Sequence, residues 1–294
     1  MVLNSDGKPA SGIHIELDEA STALPITSTY TQVDGTFELY NIPSGDYELV
    51  AESTDSFTVN PVAVQSGQSS LRLRLSRSAP TPGLDPTVSV AQMMVPSSAQ
   101  KLFRKAQNAF NDHTYDKANK LLDQALQIEP YYPDALTLRG LIETYNGKFD
   151  DAQADLERAI QIDPSYSRAY IALGAIYNHQ GRFDDAMRVS ERSLALTPRS
   201  WQSYFEMAKA SIAKGMYTQG LQFAREAQRL GGNSFAAVHL IKAYALMPMR
   251  LYKAARYELQ AFLSHQPDGS NAEQANMLLA QIDADLPVSG AASR

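Results

Sequence analysis

Pro130, Pro164 and Pro198 stand 34 residues apart, each closing a stretch with the same internal order of residues. Registering the chain on these prolines puts Ala106, Gly140, Gly174 and Ala208 in one column, and Ala118, Ala152, Ala186 and Gly220 in another. A third column holds Ala125, Ala159, Ser193 and Ala227, and a fourth holds Tyr115, Phe149, Phe183 and Tyr217. A fixed period of this length implies one supersecondary unit stacked on copies of itself, because a single unit cannot bury its apolar face alone.

Each unit shows two helical patterns separated by a small-residue break, as in Gly147-Lys148-Phe149, Gly181-Arg182-Phe183 and Gly215-Met216-Tyr217. With the columns above, this pattern resembles the tetratricopeptide repeat family. The resemblance assigns Gly140 and Gly174 to the close-approach column between paired helices, Ala152 and Ala186 to a tight contact of the second helix, and the prolines to the turn into the next unit. The units are 99–132, 133–166, 167–200 and 201–234, with a degenerate fifth at 235–269. In the fifth, Ala243, Tyr252, Ala255 and Pro267 return to the pattern after a one-residue insertion near Pro248. Residues 270–286 read as a final amphipathic helix opened by Ser270 or Asn271, as an array needs to cover its last apolar face. The whole array runs over 98–286, with a tail at 287–294. The missing proline at Gly232 predicts an irregular bend between the fourth and fifth units.

The family's arrays curve into a superhelix lined by the first helix of each pair. Carrying over its inward-facing positions gives Phe103, Gln107, Phe110 and Asn111 in the first unit, and Thr137, Leu141 and Tyr145 in the second. The third supplies Arg168, Ile171, Asn178 and His179, and the fourth Phe205 and Lys209. Phe103, Gln107, Thr137 and Leu141 stand where relatives that clamp acidic tails carry Lys and Asn, so a carboxylate clamp is not expected. The mixed lining suits an extended or helical peptide with apolar anchors. For Phe103 and Phe110, packing between neighbouring helices is the competing reading.

Residues 1–78 follow a different rule, with period two. Ile13, Ile15 and Leu17 alternate with His14 and Glu16, and the same alternation recurs at Phe37–Leu39, Tyr47–Ala51 and Leu71–Leu75. Strands apolar on one face and polar on the other are expected, separated by turns at Asp6-Gly7-Lys8-Pro9, Asp34-Gly35, Pro43-Ser44-Gly45-Asp46 and Ser66-Gly67. Several such strands predict a small antiparallel sandwich. The run from Asp6 to Leu17, followed by Asp34 to Leu49, resembles the carboxypeptidase regulatory-like family, which implies a transthyretin-like β-sandwich. The expected architecture is therefore multidomain, an N-terminal antiparallel β-sandwich followed by an all-α superhelix of tetratricopeptide repeats. Between them, the Pro-rich connector 79–97 contains an apolar run, Thr87–Val95, expected to add a strand or to lie along the first helix.

Charge narrows the partners. Of the net −6, residues 1–78 hold ten acids against four bases, and the remainder holds 22 of each. No basic footprint exists for a phosphate backbone, so nucleic acid is not an expected partner. No apolar run is long enough to span a bilayer. The absence of cysteine excludes disulfides, thiolate zinc sites and a cysteine nucleophile. The five histidines fall on different elements without an i, i+4 partner, so no metal site is expected. Asp150-Asp151 and Asp184-Asp185 read as acids that cap the second helices and favour their dipoles. No cofactor and no catalytic residue are expected.

These readings describe a non-enzymatic interaction protein whose groove binds a protein partner and whose sandwich docks or orients it. The pairing of domains suggests a bacterial envelope location, periplasmic or extracellular, if an export signal lies upstream of residue 1. A cytoplasmic location stays open. One alternative is a polysaccharide-binding module, with Tyr30, Tyr40 or Tyr47 of the sandwich as sugar platforms. Another is an accessory subunit of a larger membrane-associated complex.

Overall fold

The computed structural model describes residues 2–3, 8–19, 25–39, 42, 45–53, 56–64, 73–74, 95–231 and 236–285. By internal contacts the chain divides into two units, one of Met1–Thr81 with Ser211–Arg294 and one of Pro82–Ala210. The N-terminal strands thus share a unit with the last helices of the array.

Among the described residues eleven helices follow the strands: α1 (Ser97–Asn111), α2 (Tyr115–Ile128), α3 (Pro133–Tyr145), α4 (Phe149–Ile162), α5 (Ser167–His179), α6 (Phe183–Leu196), α7 (Trp201–Ala213), α8 (Tyr217–Gly231), α9 (Ala236–Leu246), α10 (Tyr252–His265) and α11 (Ser270–Asp285). The aromatic column marks helix starts directly, since Tyr115, Phe149, Phe183, Tyr217 and Tyr252 each open a second helix.

The same turn joins each pair. His113, Gly147, Gly181, Gly215 and Arg250 all adopt positive φ, between 56° and 77°. The residue after each donates its N–H back to a carbonyl of the preceding helix: Thr114 to Ala109, Lys148 to Glu143, Arg182 to Tyr177, Met216 to Ser211 and Leu251 to Leu246. This satisfies carbonyls that the helix end would otherwise leave open. The last turn falls 35 rather than 34 residues after its predecessor, so the inserted residue lies ahead of Arg250. The junction around Gly232 and Phe235, where a bend is expected, lies outside the described residues.

Apolar columns build the cores. In the unit Pro82–Ala210, Ala106, Ala118, Leu122, Ala135 and Ile142 form one cluster, and Leu136, Ala152, Leu156, Leu173, Ile176 and Ala186 form the next. Small residues set the spacing: a Cβ on Gly140 would lie 3.1 Å from Leu156 Cγ and 3.2 Å from the Ala152 carbonyl oxygen. On Gly174 it would meet Ser190 Oγ at 3.0 Å. Val95 is buried against α1, and Gln100 donates to its carbonyl at 2.9 Å. The rest of the expected strand or helix-hugging run, 87–94, lies outside the described residues, as does the tail 287–294.

One expectation about the helices is corrected. Asp150 and Asp184 are second residues of α4 and α6, whose N-caps are Lys148 and Arg182 without side-chain cap bonds. The acids therefore favour the dipole from inside the first turn rather than from the N-cap position.

The front strands are β1 (Val2–Leu3), β2 (His14–Glu19), β3 (Pro25–Tyr30), β4 (Gly45–Ser53), β5 (Ser56–Val64) and β6 (Leu73–Arg74). An antiparallel sheet runs β3-β2-β4-β5, with Ile15 opposite Ala51 and Leu17 opposite Leu49, while β1 pairs with β6 in parallel. The alternating residues Ile13, Ile15, Leu17, Tyr47, Leu49 and Ala51 fill the core with Val2. Gly35, at φ 72°, lets the Asp34-Gly35 turn press on β1, where its carbonyl accepts from Val2 N–H at 2.7 Å. A Cβ there would sit 2.5 Å from the Val2 oxygen.

Two strand expectations change. Phe37–Leu39 alternates but joins no ladder; Phe37 and Leu39 pack half-buried on the core instead. The polar face of β2 is not solvated, because Glu16 and Asp18 are buried at 6% and 0% exposure. Their carboxylates bond Arg225 of α8, within the same unit.

Candidate partner-binding face

In the unit Pro82–Ala210 the first helices stand side by side, with α3 packed next to α1 and α5. The thirteen residues carried over as inward-facing separate by burial. Gln107, Asn111, Leu141, Tyr145, Arg168 and His179 are exposed, Phe103, Phe110, Ile171, Asn178, Phe205 and Lys209 are half-buried, and Thr137 is buried.

Leu141 and Tyr145 are the large apolar side chains on this face that reach solvent, at 40% and 70% exposure and one helical turn apart on α3. Tyr145 is nevertheless fixed, since its ring packs at a tilt against Tyr115, with centroids 4.3 Å apart. Tyr115 in turn touches Phe110 at 5.6 Å, and its hydroxyl lies 3.0 Å from His113 Nδ1. One unit later His179 stacks on Phe149 at 4.2 Å. Tyr115 and Phe149 thus each seat the end of the next unit's first helix. Phe103 rests on Tyr132 at 5.2 Å, so Phe103 and Phe110 both spend part of their surface on neighbouring helices.

The polar members bond along the face. Asp134 Oδ1 accepts from the Tyr166 hydroxyl at 2.6 Å and from Arg168 Nη1 at 3.5 Å. Burial and the Asp134 carboxylate push the Tyr166 hydroxyl above its ordinary range. Asn178 Nδ2 donates to the carbonyl and to the carboxylate of Glu206, at 2.9 and 2.8 Å. Lys209 Nζ donates to Glu206 Oε2 at 2.8 Å and lies 5.5 Å from the centre of the Phe205 ring. Positive and negative side chains pair with one another here, which leaves a face of mixed polarity.

Behind Leu141 the helix is clamped. Arg139 is bidentate to Asp155 of α4, at 2.5 and 2.7 Å, and its Nη1 reaches Asp123 of α2 at 3.0 Å. Periodicity alone does not find this clamp, but the columns do. Arg139 and Asp155 occupy the positions that Leu173 and Val189 fill in the following unit, where both are buried in the core. A charged pair thus replaces an apolar pair. Near it, burial and Asp155 push Glu143 up to about 7 against the pull of Arg139.

A hollow of about 360 Å³ lies against the α3–α4 turn, lined by Gly147, Lys148, Phe149, Asp150, Asp151 and Gln180. Among the described residues no group of three or more His, Asp and Glu side chains could hold a metal ion, and no helix is long and apolar enough to cross a membrane. In the sandwich, Tyr47 is buried at 6% in the core, which removes it as a sugar platform, and Tyr40 lies outside the described residues. Tyr30 is 56% exposed, with its ring 6.4 Å from Tyr257 of α10.

Comparison with known proteins agrees with both halves. Residues 143–212 match the family model for the tetratricopeptide repeat, and residues 1–75 match the second beta sandwich domain of the BOS complex subunit NOMO1-like family. The chain thus joins a NOMO-like β-sandwich to a tetratricopeptide array. Among solved structures it is similar to TTC0263, a thermophilic TPR protein of Thermus thermophilus, at 17% identity over 63% of this chain and 99% of that one, with a TM-score of 0.54. It is similar to pilF of Pseudomonas aeruginosa at 18% identity, over 64% and 85%, with a TM-score of 0.55. The Cut9–Hcn1 hetero-tetramer of the APC/C gives 16% identity, over 65% of this chain and 38% of that one, with a TM-score of 0.60. At these identities the likeness is one of fold. No curated protein matches the chain.

Proposed function

We propose that this protein is a non-enzymatic scaffold whose first-helix face, over α1, α3, α5 and the start of α7, holds an extended or helical segment of a partner protein. The repeat fold suggests protein–protein interaction. The exposed pair Leu141 and Tyr145 carries the finer reading, since an apolar anchor held by a ring contact binds a partner with little loss of side-chain freedom. Gln107 and Asn111, at the equivalent positions of α1, are exposed and offer hydrogen bonds to a peptide backbone. The sandwich would orient the array within a larger assembly. An envelope location belongs to this proposal on the strength of the N-terminal resemblance, and fractionation of cells expressing the full-length gene tests it.

The binding test is selection of peptides from a displayed library on the full chain. Tyr145→Ala should weaken selected peptides at least about tenfold, as loss of an aromatic anchor does. Tyr131→Ala, which removes an exposed ring between α2 and α3, should leave them unchanged. Equal effects of the two substitutions would sink the assignment of the face.

A further inference from the structure

Asp123, Glu157 and Glu191 occupy one register position of the second helices, all exposed, and the next residue in that register is Arg225. The charge reverses on the helix that meets the sandwich. Arg225 Nη2 donates to Glu16 Oε1 at 2.8 Å, and its Nη1 bonds Asp18 Oδ2, across 209 and 207 residues of sequence. The arginine side chain is 13% exposed, and the two carboxylates 7% and 0%. Two buried carboxyl groups therefore share one guanidinium, and Asp18 Oδ1 has no hydrogen-bond partner among the described residues. From α10, Glu258 adds a third negative charge facing Arg225, and is itself bonded to Lys242 and His239 of α9.

We propose that the contact between β2 and α8 is a proton-dependent latch, in which the Asp18–Glu16 pair takes up one proton as it closes on Arg225 and releases it on opening. Two ionised carboxylates around one cation would leave unbalanced negative charge out of water, a costly state that a single proton relieves. Burial accordingly pushes Asp18 up to about 8 despite the pull of Arg225. The sign follows. An acid raised in the closed state and returning toward 3.8 in water holds its extra proton only when closed, between those two values. Raising the pH across that window favours opening by up to about tenfold per unit and levels off above it.

Amide hydrogen exchange of the full chain between pH 5 and 8.5, corrected for intrinsic exchange rates, reads the latch through peptides covering β2 and α8. The opening constant should rise by up to about tenfold per pH unit. Peptides from α6 (Phe183–Leu196), in the other unit, provide the control and should not follow that slope. Asp18→Asn or Glu16→Gln, whichever replaces the protonated group, should abolish the slope while keeping β2 protected at pH 5. A flat wild-type profile overturns the proposal. So does a slope that survives both substitutions, or loss of β2 protection at pH 5 in both.

Discussion

The ring of Phe149, first residue of α4, stacks on His179, last residue of α5, with centroids 4.2 Å apart. Tyr115 meets Tyr145 at the equivalent place one unit earlier, with the rings tilted and centroids 4.3 Å apart. A residue that opens a second helix therefore also fixes the next unit, as nearest-neighbour stacking in a repeat array requires. Phe149→Ala should cost about 2–3 kcal/mol, below a fully buried phenylalanine because the ring is half-exposed. In a double-mutant cycle with His179→Ala the coupling should be about 0.5–1.5 kcal/mol. Urea denaturation of the four proteins measures it, and coupling under about 0.3 kcal/mol, the usual additivity error, would mean that the rings merely coincide.

Two glycines of the second unit are required for different reasons, and one substitution tells them apart. Gly140 has little room for a Cβ, which would press on Leu156 and the Ala152 carbonyl. Gly147 has open space but a φ of +75°. Alanine should cost about 1–3 kcal/mol at the first through overpacking, and about 1–2 kcal/mol at the second through left-handed strain. Asparagine, which tolerates left-handed backbone, should recover most of the loss at 147 and deepen it at 140. Thermal unfolding of the four variants decides, and equal behaviour at the two sites would contradict the geometry.

How legible the fold is depends on whether one physical rule acts alone. The aromatic column falls on the first residue of each second helix because repetition imposes the same turn each time, even where His113 and Arg250 replace glycine. Edge strand β3 has no such signature. Its outer residues Ile26 and Tyr30 are exposed, so no apolar alternation announces it. Phe37 and Leu39 show the converse, alternating to meet a core without joining a ladder. The residues of the proposed partner-binding face follow from register, but the anchoring of Tyr145 does not, because ring contacts join residues of different units. Asp155 and Arg225 show in the sequence only as breaks in their columns, and a break states that a rule fails without naming the partner that compensates.

Glu143 makes the array sensitive to neutral pH. Burial and Asp155 raise it to about 7, so in the folded chain it holds a proton that it would release on unfolding at the same pH. Its contribution to stability is present at low pH and is lost as pH rises from the ordinary 4.5 through about 7. Glu143→Gln should therefore stabilise the protein at pH 8 relative to wild type, and do so less at pH 6. Urea midpoints of both proteins at the two pH values test this, and a difference that does not grow with pH would assign the effect elsewhere.

The cluster under α9 and α10 should behave in the opposite sense. Glu258 is bonded by Lys242 Nζ and, at 2.7 Å, by His239 Nδ1, while Lys242 also donates to Gln228 at 2.9 Å. All four side chains are buried. Burial alone would raise Glu258, but Lys242 and His239 outweigh it and hold the carboxyl at about 2. Because the folded value lies below the ordinary 4.5, its contribution is complete above 4.5 and is lost as pH falls toward 2. Lys242→Met strands the carboxylate and should cost about 3–5 kcal/mol near neutral pH, whereas Lys242→Met with Glu258→Leu, which leaves no unpaired charge, should recover much of it. Urea unfolding of the single and double variants, repeated toward pH 3, measures both effects. A double variant less stable than the single one would show that the cluster contributes net stability beyond charge balance, against this account.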